Sequence, residues 1–234
     1  MTIGFGGQTF RSTMDYFSEP LRTVEGTQVK ARILTLMGNF VRIAGTLEEA
    51  TAVYGQALEI AQAEGDRPCQ IANLNHLSRT LALARDAEGA IVQGQRALIL
   101  SRDSGDALGE ANALTNLGYG EVLAALAREA PPEDYEIPMG YLEQGAQKSL
   151  RLEDPQSEAF STTSLGIAHL SCGNPTQALV WIQQGLDACG RCGDAYLQSV
   201  NLLSMAEACY QLDRFEDAPY PALLALYHLT TSGP

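Results

Sequence analysis

The stretch LSRTLALARDAEGA, Leu77 to Ala90, contains the pattern that decides the fold. A long apolar residue is followed by a small one, and an alanine comes twelve residues after the small residue. A self-similar pattern of this kind is typical of a helical repeat array, in which each unit packs against its neighbours. The same arrangement recurs at Met37-Gly38 with Ala50, Leu165-Gly166 with Ala178, and Met205-Ala206 with Ala218.

A Gly-Asp pair or a similar pair closes each unit. Gly105 is suited to end a helix because glycine adopts the left-handed conformation without strain. Asp106 can begin the next helix, because its carboxylate accepts backbone N–H groups that have no partner within the helix. The closing aspartates lie 40, 48 and 40 residues apart, at Asp66, Asp106, Asp154 and Asp194.

Small residues recur in the middle of the first helix of each unit. Glycine in a helix interior costs about 1 kcal/mol relative to alanine, so its repeated use there needs a compensating reason. We expect two helices to cross too closely at these positions for a larger side chain. The positions are Gly38, Ser78, Gly118, Gly166 and Ala206.

Composition narrows the class of protein. The chain has 234 residues, 45% of them hydrophobic, and a formal charge of −13, which argues against a general nucleic-acid or anionic-membrane binder. No apolar run approaches the roughly 20 residues of a transmembrane helix, and Met1 to Gly7 lacks the features of a secretory signal. The five cysteines do not form a disulfide framework, so we expect a reducing cytoplasm.

The run ANALTNLG from Ala111 to Gly118 carries a family resemblance, together with Tyr141 and the pattern Ala50, Tyr54, Ala57, Leu58. These residues resemble tetratricopeptide repeats (TPRs) of the long, 40-residue type, and are similar to those of kinesin light chains and LGN-type scaffolds. The resemblance implies an all-α, right-handed superhelical solenoid of about five helix pairs. It also implies that an inner groove binds a peptide or protein segment, and it implies no reaction and no cofactor.

The expected organisation has three parts. Residues 1–27 form an N-terminal segment in which Phe10 to Val24 makes a capping helix, residues 28–229 form the repeat array, and residues 230–234 are a tail. Repeat three carries an insertion at 128–136, which is either a solvated loop or an acidic docking element for a basic partner. The apolar helix near the C-terminus has no polar helix after it, so a partner, a second copy or further sequence should cover it.

Helical geometry predicts which residues line the groove. Positions six and three before the small residue, and one and four after it, share the open face of each first helix. Arginine is suited to bidentate capture of carboxylates, and asparagine can bond a peptide backbone. We therefore expect an acidic or C-terminal segment of a partner to bind, with its charged end at the first repeats and its apolar side chains against Tyr119, Phe160 and Ile167. Among the residues at these positions, the candidate partner-binding residues are Arg32, Asn39, Arg42, Asn75, Arg79, Asn112, Tyr119, Phe160 and Ile167. The resemblance to tetratricopeptide repeats, in which asparagines of the inner helices hold peptide ligands, adds Asn116.

Three functional classes follow. The first is an interaction module, an adaptor or assembly chaperone. The second is a peptide-responsive regulator in which a ligand changes the superhelix pitch. The third is a metal or redox protein using the CxxC motif Cys189 to Cys192, although neither a second CxxC nor paired histidines completes a metal site. The sequence contains neither a nucleophile motif nor a phosphate-binding loop, so nothing in it indicates an enzyme.

Overall fold

The computed structural model describes residues 27–231, with side chains described up to residue 227. The described chain contains ten α-helices, one short 3-10 helix at Pro132–Tyr135, and no strand. The α-helices are α1 Gln28–Ile43, α2 Leu47–Ala63, α3 Arg67–Leu83, α4 Ala87–Ser104, α5 Ala107–Ala127, α6 Glu136–Arg151, α7 Pro155–Ser171, α8 Pro175–Cys192, α9 Ala195–Gln211 and α10 Pro219–Thr231. They form five consecutive helix pairs, as the repeat pattern predicts.

Helix boundaries follow the chemistry of the closing pairs. Asp106 caps α5 by accepting the Gly109 N–H at 2.8 Å, and Asp194 caps α9 by accepting the Leu197 N–H at 2.9 Å. Gly105 ends α4 in the left-handed conformation, with φ 69°. These local signals lie in the sequence, and the expected caps at Gly105 and Asp106 are confirmed.

Close crossings occur where the small residues predict them. A Cβ placed on Gly38 of α1 would lie 2.5 Å from the Tyr54 ring of α2. A Cβ on Gly118 of α5 would lie 2.8 Å from Leu142 and from the carbonyl oxygen of Pro138, both on α6. Within these repeats, the first helix therefore approaches the second too closely for a larger residue.

The first helices of successive repeats also contact one another. The Asn73 amide of α3 donates to the Thr35 hydroxyl of α1 at 2.8 Å, and the Asn201 amide of α9 donates to the Thr163 hydroxyl of α7 at 2.7 Å. These polar bridges join α1 to α3 and α7 to α9, and α1, α3, α5, α7 and α9 lie side by side along one surface of the array. That surface carries the groove.

The insertion in repeat three is packed rather than fully solvated. α5 has 21 residues, and the 3-10 helix after it carries Tyr135, which is only 2% exposed and packs in an apolar cluster with Leu142 and Leu165. Arg128 pairs with Asp134 at 2.8 Å across the segment. The insertion therefore extends the core of the third repeat through Tyr135, while its charged residues and its two prolines face solvent.

The two ends differ in what can be described. The capping helix expected at Phe10 to Val24 lies outside the described residues. At the other end, Tyr220 and Leu223 of α10 are 75% and 66% exposed, and the helix continues two residues into the expected tail. Covering of α10 by a second copy of the chain remains a prediction. In the described part, none of the helices is both long and apolar enough to cross a membrane.

Candidate functional site: the concave groove

A groove of about 1040 Å³ runs along the surface formed by the first helices. Its walls come from the C-terminal end of α1, from α3, and from the N-terminal ends of α5, α7 and α9. Charged, amide and aromatic side chains are among the residues that line it. The lining residues include Asn39, Arg42, Asn75, His76, Arg79, Asp106, Leu108, Asn112, Asn116, Asp154, Gln156, Ser157, Asp194 and Tyr196.

An aromatic stack supports one end of the groove. The Tyr54 hydroxyl, from α2, donates to Asn39 Oδ1 at 2.8 Å, and its ring stacks on His76 with centroids 5.0 Å apart and planes 14° apart. Tyr54 itself is fully buried. The stack fixes His76 and orients Asn39, whose NH2 group has no partner among the described residues.

Arg79 is held over a second aromatic pair. Its guanidinium carbon lies 4.1 Å from the centroid of the Phe160 ring, and Tyr119 meets that ring edge-on at 5.4 Å. A cation over an aromatic face gains electrostatic attraction from the ring quadrupole. The contact joins α3, α5 and α7, and it fixes the side chain of Arg79 at the groove.

Arg42 and Arg79 place two positive charges in the groove without a counter-ion in contact. Both are half-buried, neither forms an ion pair with a described carboxylate, and the Nε of each is shielded from solvent without a hydrogen-bond partner in the described chain. Burial, and then the charge of Arg42, lower the pKa of Arg79 to about 10, while Asp194 opposes the shift. Arg79 is therefore protonated at neutral pH, and the geometry suits an anion.

His76 lies between these charges and is neutral at pH 7. Burial is the largest cause, and Arg42 and Arg79 add to it, so that the pKa falls to about 4. A neutral imidazole leaves the arginines as the source of positive charge at this end of the groove.

The lowered pKa of His76 gives a pH-dependent stability. Between pH 6.5 and 4 the unfolded state binds the proton more readily, so stability is lost as pH falls through this window. We expect the unfolding free energy of the parent, relative to that of His76→Phe, to fall by about 1 kcal/mol or more from pH 7 to pH 4. Urea titrations at each pH measure it. A pH-independent difference would contradict the assignment.

The structure brings most of the predicted site residues together. Phe160 and Tyr119 lie behind Arg79, and Phe160 is only 7% exposed, so it supports the arginine rather than presenting a free surface. Ile167 is not among the residues that line the groove. Those that line it are Asn39, Arg42, Asn75, Arg79, Asn112 and Asn116.

Arg32 lies outside the groove, contrary to its expected position. It pairs with Asp66 at 3.0 Å, and this carboxylate also caps α3 by accepting the Cys69 N–H. Arg32 lies on the face of α1 that the sequence pattern predicts. Its guanidinium, however, is held by Asp66 at the start of α3.

Three of the expected asparagines also bond within the protein. The Asn116 amide donates to both the backbone and the side-chain oxygen of Asn75 at 3.1 Å, and the Asn75 amide donates to the Gly109 carbonyl. Asn112 accepts from the Ser157 hydroxyl at 2.9 Å. These amides join α3, α5 and α7 to each other, which reduces what they offer to a peptide backbone.

Sequence reasoning missed several groove residues. His76 stands alone in the sequence, and Tyr196 lies outside the helical positions used to predict the face. Asp106, Asp154 and Asp194 are recognisable as helix caps, but nothing local shows that the same carboxylates line a groove. Their regular recurrence at the start of each first helix is the signal that could have placed them on one edge.

The CxxC motif lies at the end of α8, and neither of its cysteines lines the groove. All five cysteines are free thiols, and in the described chain no group of three or more His, Cys, Asp and Glu residues could hold a metal. The Cys192 thiol donates to the Cys189 carbonyl at 3.7 Å. Burial, together with Cys192 and Asp194, raises the pKa of Cys189 to about 12.

An unreactive Cys189 is the expected outcome of this environment, because the thiolate is the nucleophile and the metal ligand. We expect iodoacetamide at pH 8 to leave Cys189 unmodified in the native protein and to modify it in urea, as measured by peptide mass spectrometry. Elemental analysis should find no stoichiometric zinc. One zinc per chain, lost in Cys189→Ser with Cys192→Ser, would restore the metal interpretation.

Comparison with known proteins gives similarity in structure alone. No protein-family model matches the chain, and no curated protein matches it. A Rap protein solved in complex with competence and sporulation factor has a TM-score of 0.67 and 16% identity, over 96% of this chain and 71% of that one.

Two further solved structures are also similar. BtubC (BKLC) from P. vanneervenii has a TM-score of 0.62 and 16% identity, over 95% of this chain and 86% of that one. A kinesin-light-chain-like protein of Podosopora anserina with nearly identical TPR-like repeats has a TM-score of 0.58 and 12% identity, over 86% of this chain and 96% of that one. Five helix pairs with close crossings, and these similarities, show that the chain folds as a TPR-type helical repeat array.

Proposed function

We propose that this protein is an interaction module that binds a segment of another protein in its concave groove. The observation that carries the proposal is the pair Arg42 and Arg79, two half-buried arginines without a carboxylate partner in the described chain. A partly buried charge that lacks a counter-ion costs free energy, and a bound anion removes that cost. An adaptor or an assembly chaperone would use such a groove.

A carboxylate fits the arginines best. A guanidinium presents its donors in a planar fork that matches a carboxylate, and the Phe160 ring holds the Arg79 fork in place. The overall charge of −13 repels acidic proteins at long range, so the groove must supply the attraction locally. The proposed ligand is therefore a peptide segment with a C-terminal or side-chain carboxylate at Arg42 and Arg79.

The apolar part of the ligand is proposed to contact different residues from those expected from the sequence. Phe160 lies under Arg79, whereas Tyr196 of α9 and Leu108 of α5 line the groove and are 56% and 46% exposed. Aromatic residues in a groove often carry most of the binding free energy. Tyr196 and Leu108 are thus the proposed contacts for an apolar side chain of the ligand.

The similar Rap structure supports the binding of a partner by an array of this fold. It was solved with competence and sporulation factor bound, so a repeat array of this fold can hold such a factor. In this chain, the groove and its arginines are the features that would do so. The proposal assigns no reaction to the protein.

Selection from a synthetic peptide library tests the proposal. Immobilised protein is incubated with random decapeptides that have free or amidated C-termini, and bound peptides are identified by mass spectrometry. We expect enrichment of peptides with a free C-terminus or with acidic residues, and loss of that enrichment when Arg42 and Arg79 are both changed to glutamine. A parent protein that enriches amidated peptides without acidic residues would overturn it.

A further inference from the structure

The groove has an acidic edge as well as its two arginines. Asp106, Asp154 and Asp194 line it, and each caps the first helix of its repeat. No described lysine or arginine pairs with any of the three. The groove therefore holds separated positive and negative groups, and a ligand with one sign of charge satisfies only part of it.

The same position in an earlier repeat shows what such an aspartate can bind. Asp66 caps α3 through Oδ1, while its Oδ2 accepts from Arg32 Nε at 3.1 Å and from Nη2 at 3.0 Å. Capping a helix and binding a guanidinium are thus compatible on one carboxylate. Arg32 occupies that place only for Asp66, and the equivalent aspartates of later repeats face the groove instead.

Two of the three aspartates have a carboxylate oxygen that can accept a hydrogen bond from a ligand. Asp106 caps α5 with Oδ1, and its Oδ2 has no partner among the described residues. Asp194 caps α9 with Oδ1, and its Oδ2 accepts only from the neutral amide of Gln156, at 2.7 Å. Asp154 is engaged by Ser157 and by the Gln156 N–H. Asp106 and Asp194 are therefore the better acceptors for an incoming cation.

Of the three aspartates on the acidic edge, Asp194 is the one that acts on Arg79 across the groove. Asp194 influences the ionisation of Arg79, yet it lies beyond the 4.0 Å distance of an ion pair. The unpartnered, solvent-shielded Nε of Arg79 shows that Asp194 does not satisfy this side chain. A ligand between them can pair with both, its anion toward Arg42 and Arg79 and its cation toward Asp106 and Asp194.

We infer that the ligand is a dipolar peptide, with a carboxylate at Arg42 and Arg79 and basic side chains, lysine or arginine, at Asp106 and at Asp194. This inference rests on the proposed function and names the class of peptide that the groove selects. The two charge pairs together fix the direction in which the peptide lies, because a reversed peptide would meet like charges at both places.

Charge-neutral cap variants test the inference. Asparagine caps a helix as well as aspartate does, so Asp106→Asn with Asp194→Asn removes two charges and keeps both caps. The matched control is Asp86→Asn, since Asp86 caps α4 through the same contact, to Gly89 N–H at 2.9 Å, and does not line the groove. The decapeptide selection is repeated with the parent and both variants, at low and high salt.

We expect the parent to enrich lysine or arginine at a fixed distance from the carboxylate. The double variant should lose this preference, weaken binding of selected peptides by about tenfold, and keep the requirement for a carboxylate. Asp86→Asn should match the parent. Carboxylate-dependent selection without a basic preference, or a preference that survives in the double variant, would overturn the inference alone. Selection that needs no carboxylate would overturn the proposed function.

Discussion

Changing Arg42 and Arg79 to glutamate is expected to reduce peptide binding by about 100-fold or more, because breaking charge pairs in a partly buried site costs about 3 kcal/mol. Among the described residues that line the groove, these two side chains hold the only positive charges. The measurement is fluorescence polarisation with a labelled peptide taken from the library selection. Association should also slow as salt rises, since screening weakens electrostatic steering.

Controls separate loss of binding from loss of folding. Arg96→Glu makes the same change on α4, where Arg96 is exposed, bonds Gln93 and does not line the groove, and it should bind like the parent. Arg42→Lys with Arg79→Lys keeps the charges but not the planar forks, so intermediate binding is expected. Urea titration should show each variant folded. If the folded variant with Arg42→Glu and Arg79→Glu bound the peptide like the parent, the groove hypothesis would be contradicted.

Arg32 is left out of this experiment for a structural reason. Its pair with Asp66 supports the start of α3, so reversal of Arg32 would place two acids together at a helix cap. A loss of binding in a variant that includes Arg32 could then arise from local unfolding of α3. The two groove arginines give the cleaner measurement.

The second large effect is expected from Gly118→Leu. A Cβ at Gly118 would already lie 2.8 Å from Leu142 and from the Pro138 carbonyl oxygen, and a backbone oxygen cannot turn aside as a side chain can. We expect the free energy of unfolding to fall by about 3 kcal/mol, at the upper end of the usual cost of overpacking. Urea titration followed by circular dichroism measures the change.

Gly140 provides the matched control in the same repeat. A Cβ there meets nothing within 4 Å, so Gly140→Ala should be neutral or stabilise α6 by up to about 1 kcal/mol. Gly118→Ala should destabilise the protein even though alanine is the better helix former. Equal stability of Gly118→Leu and the parent would mean that the crossing of α5 and α6 is misplaced.

Local chemistry in the sequence determines the helices and their pairing. Recurring small residues predict the crossings at Gly38 and Gly118, and Asp106 and Gly105 predict where helices begin and end, because capping and close packing depend on residues adjacent in the chain. The period of the pattern predicts the five pairs. The arginines of the groove can be predicted in a similar way, since Arg42 lies four residues after Gly38 and Arg79 one residue after Ser78, and both positions belong to the predicted open face.

Only the tertiary structure decides what those arginines face. The sequence pattern predicts an apolar end formed by Phe160 and Ile167, whereas the groove is completed by Asp194 and Tyr196 at the start of α9. That juxtaposition with Arg79 depends on the rotation between repeats, which accumulates over three helix pairs and is set by side-chain packing at every interface. Local sequence therefore fixes each unit, and the curvature of the whole array brings opposite charges to the two sides of one groove.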